Sequence, residues 1–208
     1  MSTSNPLVAA TEAGQSLWLD YIQRSMLSNG ELDTLISRDQ IKGITSNPSI
    51  FESAIANSDE YDAQIKSVLA ATPDMSADDI FKALAIKDIQ DAAEAFLDTY
   101  QQSRGDDGMV SLEVSPTLAH DAAATVAEAR ELHAAINKPN VMIKVPGTRA
   151  GVEAFETLTA DGISVNVTLL FSVQRYQEIV QAYLNGFCLL YTSPSPRDLS
   201  TSRMPSSA

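Results

Sequence analysis

Lys144 has the most chemically suggestive setting in the sequence. It stands within Val141-Met142-Ile143-Lys144-Val145, between two β-branched apolar residues, whereas Lys42, Lys66, Lys82, Lys87 and Lys138 fall in predicted turns or helices. Seen alone, a lysine at a strand end is most often a surface residue whose head reaches water. An amine among apolar walls is also suited to adding to a carbonyl, because iminium formation needs a neutral amine and apolar walls disfavour a charged one. Nearby carboxylates oppose that shift but supply what the later steps need. Dehydration of the carbinolamine needs a proton donor, and cleavage needs a base. Glu113 and Asp20 can divide that work.

The elements around these residues put them on a common face. Side chains alternate along a strand. In Val110-Ser111-Leu112-Glu113-Val114, Ser111 and Glu113 oppose three apolar residues. In Ile163-Ser164-Val165-Asn166-Val167-Thr168, the polar set is Ser164, Asn166 and Thr168, and Asp20 opposes Leu17 and Leu19 in the first apolar run. The sequence predicts strands over Leu17–Ile22, Ile41–Thr45, Met109–Val114, Val141–Val145 and Ile163–Leu169. It predicts a long helix over Ala77–Ser103 capped by Ser76 with Asp79, then a turn at Gly105–Gly108. A second helix carries Leu118, Ala122, Val126, Ala129, Leu132 and Ile136 on one face and ends by Pro139, and a third spans Ala150–Thr159. Strands interleaved with helices imply a parallel sheet with right-handed crossovers. A doubly wound sheet buries both faces and reads apolar throughout. Polar residues near the ends of several strands instead predict a (β/α) barrel whose interior opens onto a site formed by Asp20, Glu113, Lys144, Asn166 and Thr168.

Composition narrows the partners. A formal charge of −13 argues against nucleic acid or an anionic membrane as the main partner. There is no run of 18 apolar residues and no secretory signal pattern at Met1–Leu7, and Cys188 is the single cysteine, so a reducing, cytoplasmic setting is expected. No metal-ligand spacing of His, Cys and Asp and no GxxxxGK[ST] loop is present. His120 and His133 are expected on exposed faces without a role. Arg149 and Arg175 are expected at solvated helix starts, where either could approach a phosphate.

Two stretches are more specific. Gly43-Ile44-Thr45-Ser46-Asn47-Pro48-Ser49-Ile50-Phe51 resembles the first transaldolase signature. Val141-Met142-Ile143-Lys144-Val145-Pro146-Gly147-Thr148, followed by Gly151, resembles the second, which holds a Schiff-base lysine. Asn166-Val167-Thr168-Leu169-Leu170-Phe171-Ser172 matches the strand that follows, and the resemblance, closest to the longer bacterial subfamily, covers roughly residues 12–186. It implies a (β/α)8 TIM barrel of the class I aldolase type. It implies that Lys144 attacks a ketose carbonyl, Glu113 exchanges protons through a water that Thr168 helps to hold, and Asp20 is acid/base at the hydroxyl whose deprotonation breaks the carbon–carbon bond. Asn47 and Asn166 would orient the bound three-carbon unit. The implied substrates are sugar phosphates of the nonoxidative pentose phosphate pathway, with no metal or cofactor. A class I aldolase that releases dihydroxyacetone, and a non-catalytic relic of the scaffold, are the alternatives.

A (β/α)8 barrel typically takes about 250 residues, and this sequence of 208 contains about five predicted strands. The barrel is therefore expected to be truncated after the fifth strand, without the family's phosphate-binding arginines, and to be inactive or weakly active. Residues 1–186 form the expected partial barrel. Residues 187–208 hold six serines and three prolines, and Cys188 to Asp198 resembles translated sequencing-adapter read-through, so a non-native or disordered tail is expected there.

Overall fold

The computed structural model describes residues 5–192. A short helix, α1 (Pro6–Glu12), precedes β1 (Trp18–Asp20), α2 (Arg24–Ser28) and α3 (Glu31–Asp39). Then follow β2 (Gly43–Thr45), α4 (Pro48–Ala56), α5 (Asp62–Ala71), α6 (Ala77–Ala95) and α7 (Leu97–Ser103). β3 (Met109–Glu113), α8 (Ala122–Ile136), β4 (Val141–Pro146), α9 (Arg149–Ala160), β5 (Val165–Thr168) and α10 (Val173–Thr192) complete the order.

The five strands form one parallel sheet in the order β1-β2-β3-β4-β5. A doubly wound sheet reverses its strand order partway, whereas here each strand lies beside its predecessor in the chain, as in a barrel. The sheet does not close on itself among the described residues. β1, β2, β3 and β5 are shorter than predicted, while β4 runs one residue further, to Pro146. β1 stops at Asp20, and β5 ends where Leu169 takes a left-handed φ of 61°.

The alternation read from the sequence sorts the two faces. Val110 and Leu112, with Val114 just past β3, and Val141, Ile143 and Val145 of β4 are buried with Ile44 against Ile89, Ala92, Ala129, Leu132 and Leu158 of the covering helices. β-Branched residues suit this half-buried pleated surface. The predicted helix over Ala77–Ser103 divides into α6 and α7 at Phe96, whose fully buried ring occupies the core. Ser76 caps α6 as its sequence context predicts, its hydroxyl accepting from the Asp79 N–H at 3.1 Å. On α8, Val126, Ala129, Leu132 and Ile136 are buried, while Leu118 belongs to a preceding 3-10 turn and Ala122 is only partly buried.

A buried polar knot ties α2, α5 and α6 together. Arg24 Nε donates to Asp88 at 2.8 Å, and the hydroxyl of Tyr61, at the start of α5, donates to the other carboxylate oxygen at 2.8 Å. The Arg24 guanidinium also lies 4.2 Å from the centre of the Tyr61 ring. Asp88 and Tyr61 are fully buried. Burial pushes the Asp88 carboxyl up, and Arg24 and Tyr61 oppose that. At the other end of the chain, α10 packs on α9 through Ile179 and Ala182 and runs to Thr192, so residues 187–192 of the expected tail are helical. The rest of that tail, 193–208, lies outside the described residues.

Candidate active site

Strand register brings the polar residues to one side. Glu113 pairs with Lys144 and Lys144 with Asn166, forming one row across β3, β4 and β5. Two residues earlier, Asp20, Thr45, Ser111 and Met142 form a second row across β1 to β4, and Thr168 pairs with Pro146 in the row beyond. Registered neighbours in a parallel sheet point the same way, and so do residues two apart along a strand. Asp20, Glu113, Lys144, Asn166 and Thr168 therefore share the face opposite the helix-packed core.

Lys144 is buried, 8% exposed, on this face. Its Nζ lies 3.3 Å from Glu113 Oε2 and donates to the Ser46 carbonyl at 3.2 Å. Burial pushes the Glu113 carboxyl above the usual carboxylate range. Lys144 beside it pulls the other way, and Asp20 adds a further upward push. An acid held above its normal range keeps its proton to higher pH, as a general acid requires.

Around this pair the second row supplies anchors. The amide of Asn166 donates to Ser111 Oγ at 3.0 Å, and Ser46 Oγ donates to the Ser111 carbonyl at 2.9 Å. Beyond β3, the Ser115 N–H donates to Glu128 Oε2 at 2.6 Å, and Lys82 pairs with Glu128 at 2.9 Å, so α6 and α8 hold the segment that leaves Glu113. Beyond β4, Thr148 caps α9 by accepting from Gly151 N–H at 2.9 Å. A Cβ on Gly151 would lie 1.9 Å from the Pro146 carbonyl, so glycine lets α9 seat directly against the end of the Lys144 strand.

The remaining candidates are less tightly engaged. Asp20 is exposed at the sheet edge and reaches Glu113 through its charge, with no hydrogen bond between them among the described residues. Asn47 caps α4, its Oδ1 accepting from Ile50 N–H at 3.0 Å, so its side chain has a structural partner as well as its place beside the site. Thr168 is half-buried, and its backbone carbonyl accepts from Gly147 N–H at 2.7 Å. Arg149 and Arg175 pair with acidic neighbours on their own helices, Glu153 and Glu178. His120 is exposed before α8, and His133 is half-buried on it. No cluster of three or more His, Cys, Asp or Glu suited to a metal occurs among the described residues. A cavity of about 680 Å³ between α6, α8 and the segment after β3 is lined by Phe81, Leu112 and Leu132. Its lining also includes Glu113, the partner of Lys144.

Comparison with known proteins agrees with the motifs. The family model described as Transaldolase/Fructose-6-phosphate aldolase matches residues 17–197. A transaldolase of Saccharopolyspora erythraea is 45% identical over 186 residues, covering 89% of this chain and 50% of the relative. A transaldolase of Thiobacillus denitrificans is 47% identical over 173 residues, covering 83% of this chain and 48% of the relative. Transaldolase 2 of a Nostoc species is 48% identical over 183 residues, covering 88% and 47%. The chain thus spans about half the length of these relatives. With the paired lysine and glutamate inside both the matched region and the sheet's polar face, the chain belongs to the transaldolase/fructose-6-phosphate aldolase family.

Proposed function

We propose that this chain carries the Schiff-base site of a transaldolase acting on sugar phosphates in the cytoplasm. The observation that carries the reading is the buried Lys144 Nζ set 3.3 Å from a glutamate whose carboxyl is held above its normal range. Lys144 attacks the carbonyl of a ketose phosphate, and Glu113, through a water held with Thr168, delivers the proton that lets the carbinolamine lose water. The iminium then accepts the electron pair released when the carbon–carbon bond breaks, while Asp20 takes the proton from the adjacent hydroxyl. The retained dihydroxyacetone unit is held by Asn166 and by the Nδ2 of Asn47, and attacks an aldehyde acceptor. In the direction from sedoheptulose 7-phosphate and glyceraldehyde 3-phosphate, the products are erythrose 4-phosphate and fructose 6-phosphate, a step of the pentose phosphate pathway.

The test is borohydride reduction in the presence of fructose 6-phosphate, followed by peptide mass spectrometry. The expected result is a reduced adduct on Lys144 and none on Lys144→Met. Absence of an adduct on this chain, with one on a chain extended to the full length of its relatives, would instead show an inactive partial barrel; absence on both would overturn the reading and favour a non-catalytic scaffold. The matching family description also names fructose-6-phosphate aldolase, which supports a second reading in which dihydroxyacetone is released. Incubation with fructose 6-phosphate and no acceptor separates the two, since only the aldolase liberates dihydroxyacetone continuously.

A further inference from the structure

Among the described residues two groups meet the Lys144 amine, the Glu113 carboxylate, already given a role, and the Ser46 carbonyl. We infer that Ser46 is a positioning residue for the reactive lysine, acting through its hydroxyl on the orientation of its own peptide group; this rests on the Schiff-base reading of Lys144.

Ser46 lies just past β2, one residue before the cap of α4, where the chain leaves the sheet and no strand ladder fixes its peptide. Its carbonyl nevertheless accepts from Lys144 Nζ at 3.2 Å, across a sequence separation of 98 residues. What holds that carbonyl in place is the Ser46 hydroxyl, which donates to the Ser111 carbonyl at 2.9 Å. Both serines are essentially inaccessible to water, at 1% and 0% exposure, so no solvent molecule competes for these bonds. Ser111 is itself fixed in β3 by pairing with Thr45 and Met142. The strand bearing Glu113 therefore sets both neighbours of the amine. It sets Glu113 directly, and it sets the Ser46 carbonyl by way of the Ser111 carbonyl and the Ser46 hydroxyl. An amine held between a carboxylate and a carbonyl has a defined direction of approach, and near-attack geometry is worth orders of magnitude in rate.

The variants Ser46→Ala and Ser46→Thr test this, with two readouts on the full chain. The first is the rate of the borohydride-trapped fructose 6-phosphate adduct on Lys144. The second is acetylation of Lys144 by acetic anhydride, which needs no bound sugar, scored against Lys66 and Lys87 on the exposed helix surfaces. With alanine, the adduct rate falls about 10- to 100-fold without a matching rise in the sugar concentration needed for half-saturation. Acetylation of Lys144 relative to the reference lysines rises several-fold, because the amine is freed for an unoriented reagent. Threonine restores the hydroxyl and moves both readouts back toward the parent, with circular dichroism melts showing that each variant is folded. Parental adduct rates in Ser46→Ala overturn the inference, as does a loss that threonine leaves unrestored in a folded chain. If the unaltered chain forms no adduct, the acetylation readout alone decides. Unchanged relative acetylation then overturns the positioning role, and a rise that threonine reverses upholds it.

Discussion

Replacing Glu113 by glutamine keeps the volume and a hydrogen-bonding end beside Lys144 but removes the proton that dehydration of a carbinolamine requires. The carboxylate oxygen is 3.3 Å from the amine, beside any group that forms on it. A positioned general acid contributes about 100- to 10,000-fold, equivalent to about 2.7–5.5 kcal/mol of barrier. The expected loss in the rate of adduct formation lies in that range, with little change in sugar affinity. The pH dependence supplies a second check. Burial holds the folded Glu113 carboxyl above its unfolded value, which is near the usual 4.3 or so for glutamate. Its contribution to stability is therefore complete below that unfolded value and is lost as pH rises through the folded one. The same ionisation removes the proton donor, so the parent chain has a falling limb of adduct formation above the usual glutamate range, and Glu113→Gln lacks it. The assay is borohydride trapping with fructose 6-phosphate from pH 5 to 9, quantified on the Lys144 peptide. A glutamine variant that traps at the parental rate with the limb intact would refute the assignment of Glu113 as the donor.

Substitutions at three other positions separate framework from chemistry. Asp88→Ala leaves Arg24 and the Tyr61 hydroxyl without their shared acceptor, and a loss of about 3–5 kcal/mol is expected in urea unfolding; an unchanged midpoint would show that the knot contributes nothing. Gly151→Ala would ordinarily favour a helix by about 1 kcal/mol, but its Cβ meets the Pro146 carbonyl. The expected outcome is destabilisation by about 1–3 kcal/mol with slower adduct formation, measured by melts and trapping. Asn47→Ala removes a cap worth about 0.5–2 kcal/mol as well as the proposed substrate contact, whereas Asn47→Asp keeps the cap. A melt restored by aspartate with trapping still impaired would resolve the two roles.

The face on which Lys144 sits was legible because β5 alternates strictly and β3 and β4 keep Val110, Leu112, Val141, Ile143 and Val145 on one side, a local property that the pleat converts directly into geometry. The Ser76 cap was legible for the same reason, since donor and acceptor are three residues apart. The break at Phe96 was not, because it is set by where a buried ring fits against distant strands rather than by any helix breaker in Ala95-Phe96-Leu97. Nor was the knot of Arg24, Tyr61 and Asp88, whose members are dozens of residues apart and individually look like ordinary surface residues. Asn47 was recognised from its motif, but its use as the cap of α4 follows from the turn after β2. Ser46 gave no signal at all, because the group that meets Lys144 is a backbone carbonyl and every residue has one. The composition change after Gly186 led to the expectation of a non-native or disordered tail; α10 is helical to Thr192, with Phe187, Leu189, Leu190 and Tyr191 exposed.

The pairing of β3 with β4 also bears on how faithfully the chain folds. Backbone ladders alone distinguish poorly between parallel alignments offset by one residue, since each offers an evenly spaced set of hydrogen bonds. Here such an offset would turn Lys144 into the layer now filled by Ala129, Leu132 and Leu158, and would bring Ile143 and Val145 to the open face. Moving the ammonium there without its carboxylate costs several kcal/mol, enough to deplete the misaligned form. The residues proposed to carry the reaction thus also act as an error check on assembly, so substituting them with apolar groups would make alternative alignments of the sheet easier to populate.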